Sequence, residues 1–235
     1  MEYVVTGIGT DVGKTVVSAI LCEALNANYW KPVQTGTRES SDALTVSEVI
    51  GDSRIFPNTY AFREPLSPHA AAELEGTEIE TARLRIPVSH QPLIIEGAGG
   101  VHVPLNWKQT LLDVMQVWDI PVIVVSRNYL GSINHTLLTL EVLQQRGIPI
   151  AGVVFNGEST PMSEEAIALY TRIPVLGHVP LFDACTPDVL RTFAEAWRPE
   201  LLRKLHERHP LNVDVELKKR LLFDKKESHP RAAFS

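Results

Sequence analysis

The chain has 235 residues, 44% of them hydrophobic, which is enough to bury one large core and fits a single α/β domain better than two small ones. A formal charge of −6 argues against a nucleic-acid binder, which needs a basic face, and no apolar run reaches membrane-spanning length. Two cysteines, Cys22 and Cys185, make neither a metal-type cluster nor a disulfide framework, and the chain enters a strand at once without a signal peptide, so the expected compartment is a reducing cytosol.

An apolar run at 3–6 leads into Gly7-Ile8-Gly9-Thr10-Asp11-Val12-Gly13-Lys14-Thr15 and then an amphipathic stretch at 14–25. A glycine-rich turn between a strand and a helix aims backbone N–H groups at one point and makes a cradle for polyphosphate. Lys14 supplies a mobile ammonium for the outer phosphates, and the Thr15 hydroxyl suits Mg²⁺. The common phosphate loop is Gly-x-x-x-x-Gly-Lys-Ser/Thr. Counted from Gly7 this loop is one residue longer, which points to a smaller group of ATP-using proteins.

Beyond it, strands are expected at 28–30, 93–96, 122–126, 151–155 and 175–179, and helices at 111–118, 133–145, 163–171 and 188–197. Ser67-Pro68 reads as an N-cap and first helical residue opening a helix at 69–75, and Gly147 as a helix stop. Short apolar runs alternating with helices predict a mostly parallel central sheet covered by helices on both faces. After Pro199 the chain becomes rich in Lys, Arg and His. The expected division is a domain at 1–198 followed by a segment at 199–235, with Leu201, Leu202 and Leu205 forming one more helix and the last dozen residues a mobile, solvated tail.

Ligands in open α/β sheets bind beyond the carboxyl ends of the strands. That rule gathers the phosphate loop, Lys31, Glu96 and Asn156 onto one rim. Glu96 closes a fully apolar run, where a carboxylate must face a site or be paired. With Thr15 and Asp42 it can hold Mg²⁺ through few protein oxygens; the other reading of Glu96 and Asp42 is a helix-capping acid and a tight turn. Lys31, held extended by Pro32, can neutralise charge on a transferred phosphoryl group, or be a surface residue. His69, His102 and His135 read as hydrogen-bonding residues and not as general bases.

Seven segments in this order resemble the dethiobiotin synthetase family. They are the loop through Thr15, Tyr-Trp-Lys-Pro-Val-Gln-Thr-Gly at 29–36, Ser-Asp-Ala at 41–43, Glu-Pro-Leu-Ser-Pro-His at 64–69, Glu-Gly-Ala-Gly-Gly at 96–100, Leu-Gly-Ser-Ile-Asn-His-Thr-Leu-Leu-Thr at 130–139, and Asn156 with Val-Pro-Leu at 179–181. The resemblance runs from about Tyr3 to Pro187 and implies a single P-loop-type α/β domain. It implies a ligase that turns 7,8-diaminononanoate, CO₂ and MgATP into dethiobiotin, ADP and phosphate, by way of a carbamate and a carbamic–phosphoric anhydride.

On the same resemblance, Thr10, Lys14 and Lys31 are catalytic, and Thr15, Asp42 and Glu96 hold Mg²⁺. ATP meets Asp11, Val12, Gly13, Lys14, Thr15 and Val16 of the loop and helix, Asp42, and Glu96, Gly97, Ala98 and Gly99. Its adenine is bordered by Asn156, Gly157, Val179, Pro180 and Leu181. Thr35 and Lys31 contact the substrate, as do Gly131, Ser132 and Asn134 from the partner of a homodimer. No nucleic acid or membrane partner is implied. Gly9 stands where many members carry Asp, which implies a looser loop, and the segment after Pro199 lies outside the match. Two related classes fit less well. Amidotransferase-linked synthetases need a further domain, and partition-type ATPases carry an extra lysine early in the loop, where this chain has none between Gly7 and Gly13.

Overall fold

A computed structural model describes residues 1–38 and 41–207. Seven strands form one sheet in the order β4-β2-β6-β1-β7-β8-β9, and every neighbouring pair runs parallel. In chain order these are β1 (Glu2–Gly7), β2 (Asn28–Trp30), β4 (Ile55–Phe56), β6 (Leu93–Gly100), β7 (Val122–Arg127), β8 (Ile150–Asn156) and β9 (Val175–Val179). A separate two-stranded parallel pair joins β3 (Val33–Gln34) to β5 (Tyr60–Ala61).

Strand alternation divides the core into two layers. On one face Tyr3, Val5, Tyr29, Ile94, Ile123 and Val125 pack with α1 (Lys14–Leu25), α2 (Asp42–Ile50) and α7 (Pro187–His206). On the other, Val4, Trp30, Ile95, Val122, Val124 and Phe155 pack with α4 (Leu111–Trp118), α5 (Ser132–Gln145) and α6 (Pro161–Thr171). A third, smaller cluster lies under α3 (Pro68–Leu74) and holds Val33, Phe62, Ile79 and Leu105. Burial on both faces explains why the central strands read as near-continuous apolar runs. The expected α/β architecture, with a mostly parallel sheet covered on both sides, is the one observed.

Four departures have local causes. First, β6 does not stop at Glu96; after a register shift its glycine run continues, and Gly100 pairs with Gly7. Second, α3 starts at Pro68 as the Ser-Pro pair implies, but Ser67 makes no side-chain cap. Its hydroxyl is turned instead to His69 Nδ1 at 3.1 Å. Third, Leu201, Leu202 and Leu205 form no separate helix. They continue α7, which runs through Pro199. That proline removes one backbone hydrogen bond, and Leu201 (fully buried) with Leu205 anchors the following turns on the core. Just upstream, Trp197 lies so close to Gly177 that a Cβ there would sit 2.6 Å from the indole. Fourth, α2, β3, β4 and β5 were not anticipated. The expectation for the last dozen residues falls outside the described residues.

Candidate active site

The phosphate loop leaves the end of β1 and enters α1 through Gly13, whose φ of 86° is left-handed. A side chain there is doubly disfavoured, because a Cβ would also stand 2.1 Å from Asn156 Nδ2. No side chain caps α1, so its first N–H groups stay available to an anion. Asp11 is also left-handed, with φ of 57°, an uncommon conformation for a residue with a Cβ. The loop is tied on two sides: Asn156 Nδ2 donates to Val12 O at 2.9 Å, and Arg127 Nη1 to Asp11 O at 3.3 Å. Gly9 faces open space, so nothing would obstruct a side chain there. Lys14 folds back over the loop, with Nζ donating to Gly9 O at 3.0 Å. Burial pulls its pKa down, against the raising effect of Glu96.

Five polar side chains, Thr15, Tyr29, Lys31, Asp42 and Glu96, converge beside this loop from four segments. Tyr29 and Lys31 lie two residues apart at the end of β2 and point to the same face as Glu96, since Tyr29 is in register with Ile94. Glu96 is wholly buried. Its Oε1 accepts from Lys31 Nζ at 3.0 Å and from Thr15 Oγ1 at 3.1 Å, and its Oε2 accepts from the Tyr29 hydroxyl at 3.1 Å. Asp42 is the first residue of α2, and its backbone N–H donates to Gln34 Oε1 at 3.2 Å. Its carboxylate lies 2.8 Å from Thr15 Oγ1, so the single Thr15 proton is shared between Asp42 and Glu96, and it pairs with Lys31.

Charge explains how these groups are held in a dry place. Burial works to lower the Lys31 pKa, but the Glu96 and Asp42 carboxylates outweigh it and hold it above its ordinary value. Asp42 shows the reverse balance: burial raises its pKa, and Lys31 brings it below the usual carboxylate range. Burial first, and then the Glu96 charge, push the Tyr29 phenol well up. Thr15, Asp42 and Glu96 therefore form an all-oxygen donor set that already neutralises a cation, the Lys31 ammonium. This is donor chemistry that fits Mg²⁺, which takes few protein ligands alongside phosphate and water oxygens.

A cleft of about 690 Å³ opens above this cluster. It is lined by Thr10, Asp11, Gly13, Lys14 and Thr15 from the loop and by Lys31, Thr35 and Asp42, with Glu96, Ala98 and Gly99 from the end of β6. Its far wall, Pro65 to Pro68 with Gln34, Gly36 and Val103, was not anticipated, although the Glu-Pro-Leu-Ser-Pro-His motif marked that segment. Other anticipated residues lie elsewhere. Val12 is buried beneath the loop, Val16 packs into the core from α1, and Gly97 backs onto Leu111. Asn156 and Gly157 stand behind the loop, where Gly157 N donates to Val179 O at 2.9 Å, while Pro180 and Leu181 are exposed.

Gly131, Ser132 and Asn134 line a second hollow of about 680 Å³, which shares no residue with the first. Among the histidines, His69 bonds Ser67 and packs edge-on to Trp107, and His135 bonds the Tyr129 hydroxyl at 2.8 Å.

A family model described as an AAA domain matches residues 1–189. The ATP-dependent dethiobiotin synthetase BioD of Christiangramia forsetii is 47% identical over 85% of this chain and 97% of its own length. That of Brucella anthropi is 45% identical over 80% of this chain and 90% of its own. In fold, the MinC:MinD cell division complex of Aquifex aeolicus superposes with a TM-score of 0.54 at 13% identity, covering 88% of this chain and 96% of that one.

Proposed function

Because the chain belongs to the ATP-dependent dethiobiotin synthetase family, we propose that it carries out that family's reaction: 7,8-diaminononanoate, CO₂ and MgATP become dethiobiotin, ADP and phosphate. The observation that carries the reading is the meeting of Lys31, Thr15, Asp42 and Glu96 at the mouth of the phosphate loop, under one cleft large enough for a nucleotide phosphate tail and a second ligand.

An amine of the substrate takes up CO₂ as a carbamate and releases a proton. A carbamate oxygen then attacks the γ-phosphorus and ADP leaves, giving a carbamic–phosphoric anhydride. The second amine attacks the carbonyl carbon, loses a proton, expels phosphate and closes the ring. No covalent enzyme intermediate is needed, so the protein acts by positioning and by neutralising charge.

The N–H groups at the start of α1 and the Lys14 ammonium hold the β- and γ-phosphates. Lys31 stands where charge builds on the carbamate and the transferred phosphoryl group, and Thr35 offers a hydroxyl to the substrate. Thr10 lies beside the β6 glycines at the cleft edge. Thr15, Asp42 and Glu96 would hold Mg²⁺, which would supply neutralisation of phosphate charge. Asn156, Gly157 and residues 179–181 border the adenine.

The second hollow around Gly131, Ser132 and Asn134 completes the substrate site from the partner of a homodimer. Exposed Leu130 in its lining and exposed Leu138, one turn after Asn134 on α5, support an interface on that face. Among the described residues no helix is long and apolar enough to cross a membrane, and both cysteines are free, which suits a cytoplasmic biosynthetic enzyme.

The test is ADP release and product mass with MgATP, bicarbonate and 7,8-diaminononanoate. Diamine-dependent ADP release together with a dethiobiotin mass is the expected outcome. Nucleotide binding with no diamine-dependent turnover would remove the proposal and leave a nucleotide-binding module.

A further inference from the structure

Tyr29 takes no part in the chemistry described so far, yet among the described residues it is the side chain that hydrogen-bonds the core-side oxygen of Glu96. It is fully enclosed, and its hydroxyl donates to Glu96 Oε2 at 3.1 Å. Packing alone does not call for that oxygen, since a phenylalanine would fill the same space in the layer between β2, β6 and α1. A buried hydroxyl without a partner is destabilising, so its presence makes sense only together with the carboxylate it meets. The need is mutual: Glu96 is equally enclosed, and Tyr29 is the partner seen at Oε2.

The consequence is orientational. A carboxylate can turn about its last side-chain bond, and this one is asked to present Oε1 to Thr15 and Lys31. Anchoring Oε2 from below halts that rotation. The register makes the anchor rigid, because Tyr29 is paired with Ile94 in β6, two residues before Glu96. The short strand β2 and the residue that leaves it thus grip both oxygens, Lys31 from the cleft side and Tyr29 from the core side.

We propose that Tyr29 is a positioning residue, whose hydroxyl fixes the Glu96 carboxylate in the orientation that receives the divalent cation. This rests on the reading that Thr15, Asp42 and Glu96 hold Mg²⁺. Partners that orient a metal ligand in this way are worth about 10- to 100-fold in metal affinity.

The experiment measures ATP affinity by calorimetry with and without Mg²⁺, in the wild type, Tyr29→Phe, Glu96→Gln and the double variant. The wild type should bind ATP more tightly with Mg²⁺. Tyr29→Phe should lose about tenfold of that gain and keep its metal-free affinity. In the Glu96→Gln background the same change should add less than about twofold, the usual scatter of independent substitutions. A merely structural tyrosine would weaken ATP binding equally with and without metal, and that result overturns the inference. So does a Mg²⁺ gain preserved in Tyr29→Phe, or losses that simply add in the double variant. Absence of any Mg²⁺ gain in the wild type would instead strike the metal reading itself, and this inference with it. Should Tyr29→Phe fail to accumulate as folded protein, Tyr29→Met fills the space with an adaptable apolar chain that has no donor and answers the same question.

Discussion

The rim at the ends of β1, β2 and β6 and the turn leading into α5 are both places where the family resemblance puts ligand contacts, but they are built differently. At the first, Lys31 and Glu96 are nearly or wholly buried, and each of their polar atoms meets a partner from another segment. At the second, Leu130 is fully exposed at the mouth of a hollow that the main cleft does not reach. Buried charge survives only when paired, so the rim must be assembled by the fold of one chain. An exposed leucine needs no such assembly, and its side chain gains from burial only when another surface covers it. One region is finished by folding, and the other keeps an apolar side chain in water unless a second surface covers it.

The comparison is broken most severely at Lys31. With Lys31→Ala, turnover should fall by about 10²- to 10³-fold while MgATP binding stays largely intact, as read by steady-state kinetics beside calorimetry. Because the change leaves two carboxylates without their shared cation, the nucleotide-free protein should also lose about 3 kcal/mol in a denaturant melt. Near-normal turnover would take Lys31 out of the mechanism.

Leu130→Asp probes the other region. Its fold stability should change by no more than about 0.5 kcal/mol, but association between copies should weaken about tenfold or more, with activity following the dimer population in sedimentation and dilution assays. A monomeric variant that is fully active would separate the α5 turn from the substrate site.

The smallest effect is expected far from both. At the start of α4, Asp113 accepts from the Thr110 backbone N–H and hydroxyl, both at 2.8 Å, and pairs with Arg146. Above all the Thr110 N–H, and with it the Thr110 hydroxyl and Arg146, hold its pKa below the usual value against the opposing effect of burial. A depressed carboxylate stabilises the fold above its unfolded pKa and loses that contribution as pH falls through the folded one. Asp113→Asn should therefore cost about 1 kcal/mol near neutrality with turnover unchanged, and the gap between the two melting curves should close in acid. A gap that persists unchanged at low pH would show that the carboxylate charge is not its source.

Where the sequence was legible, the signal was local. The six longer strands of the sheet and α1, α4, α5 and α6 follow from apolar periodicity and glycine or proline punctuation within a few residues. A helical signal was also present in α2, where Ala43, Val46, Val49 and Ile50 are spaced for one face. In contrast, β3, β4 and β5 have two residues each and are too short to carry any period. The helix expected at 188–197 and the further one expected around Leu201 are a single element, because packing at Leu201 carries α7 past Pro199. Of the site, Lys14, Thr15, Lys31, Asp42 and Glu96 were legible as chemistry. The cleft wall at Pro65 to Pro68 was visible only as a motif without a place.

By itself, the sequence determined the fold class, the phosphate loop and the identity of the charged residues that the rim requires, because each is written in residue types a few positions apart. Which side chains meet was decided only by the tertiary structure. Lys31 lies between Asp42 and Glu96, and Tyr29 stands beneath Glu96, because β6 is inserted between β1 and β2 and sets its register against both. Strand order and register are properties of contacts distant along the chain, and local periodicity does not encode them.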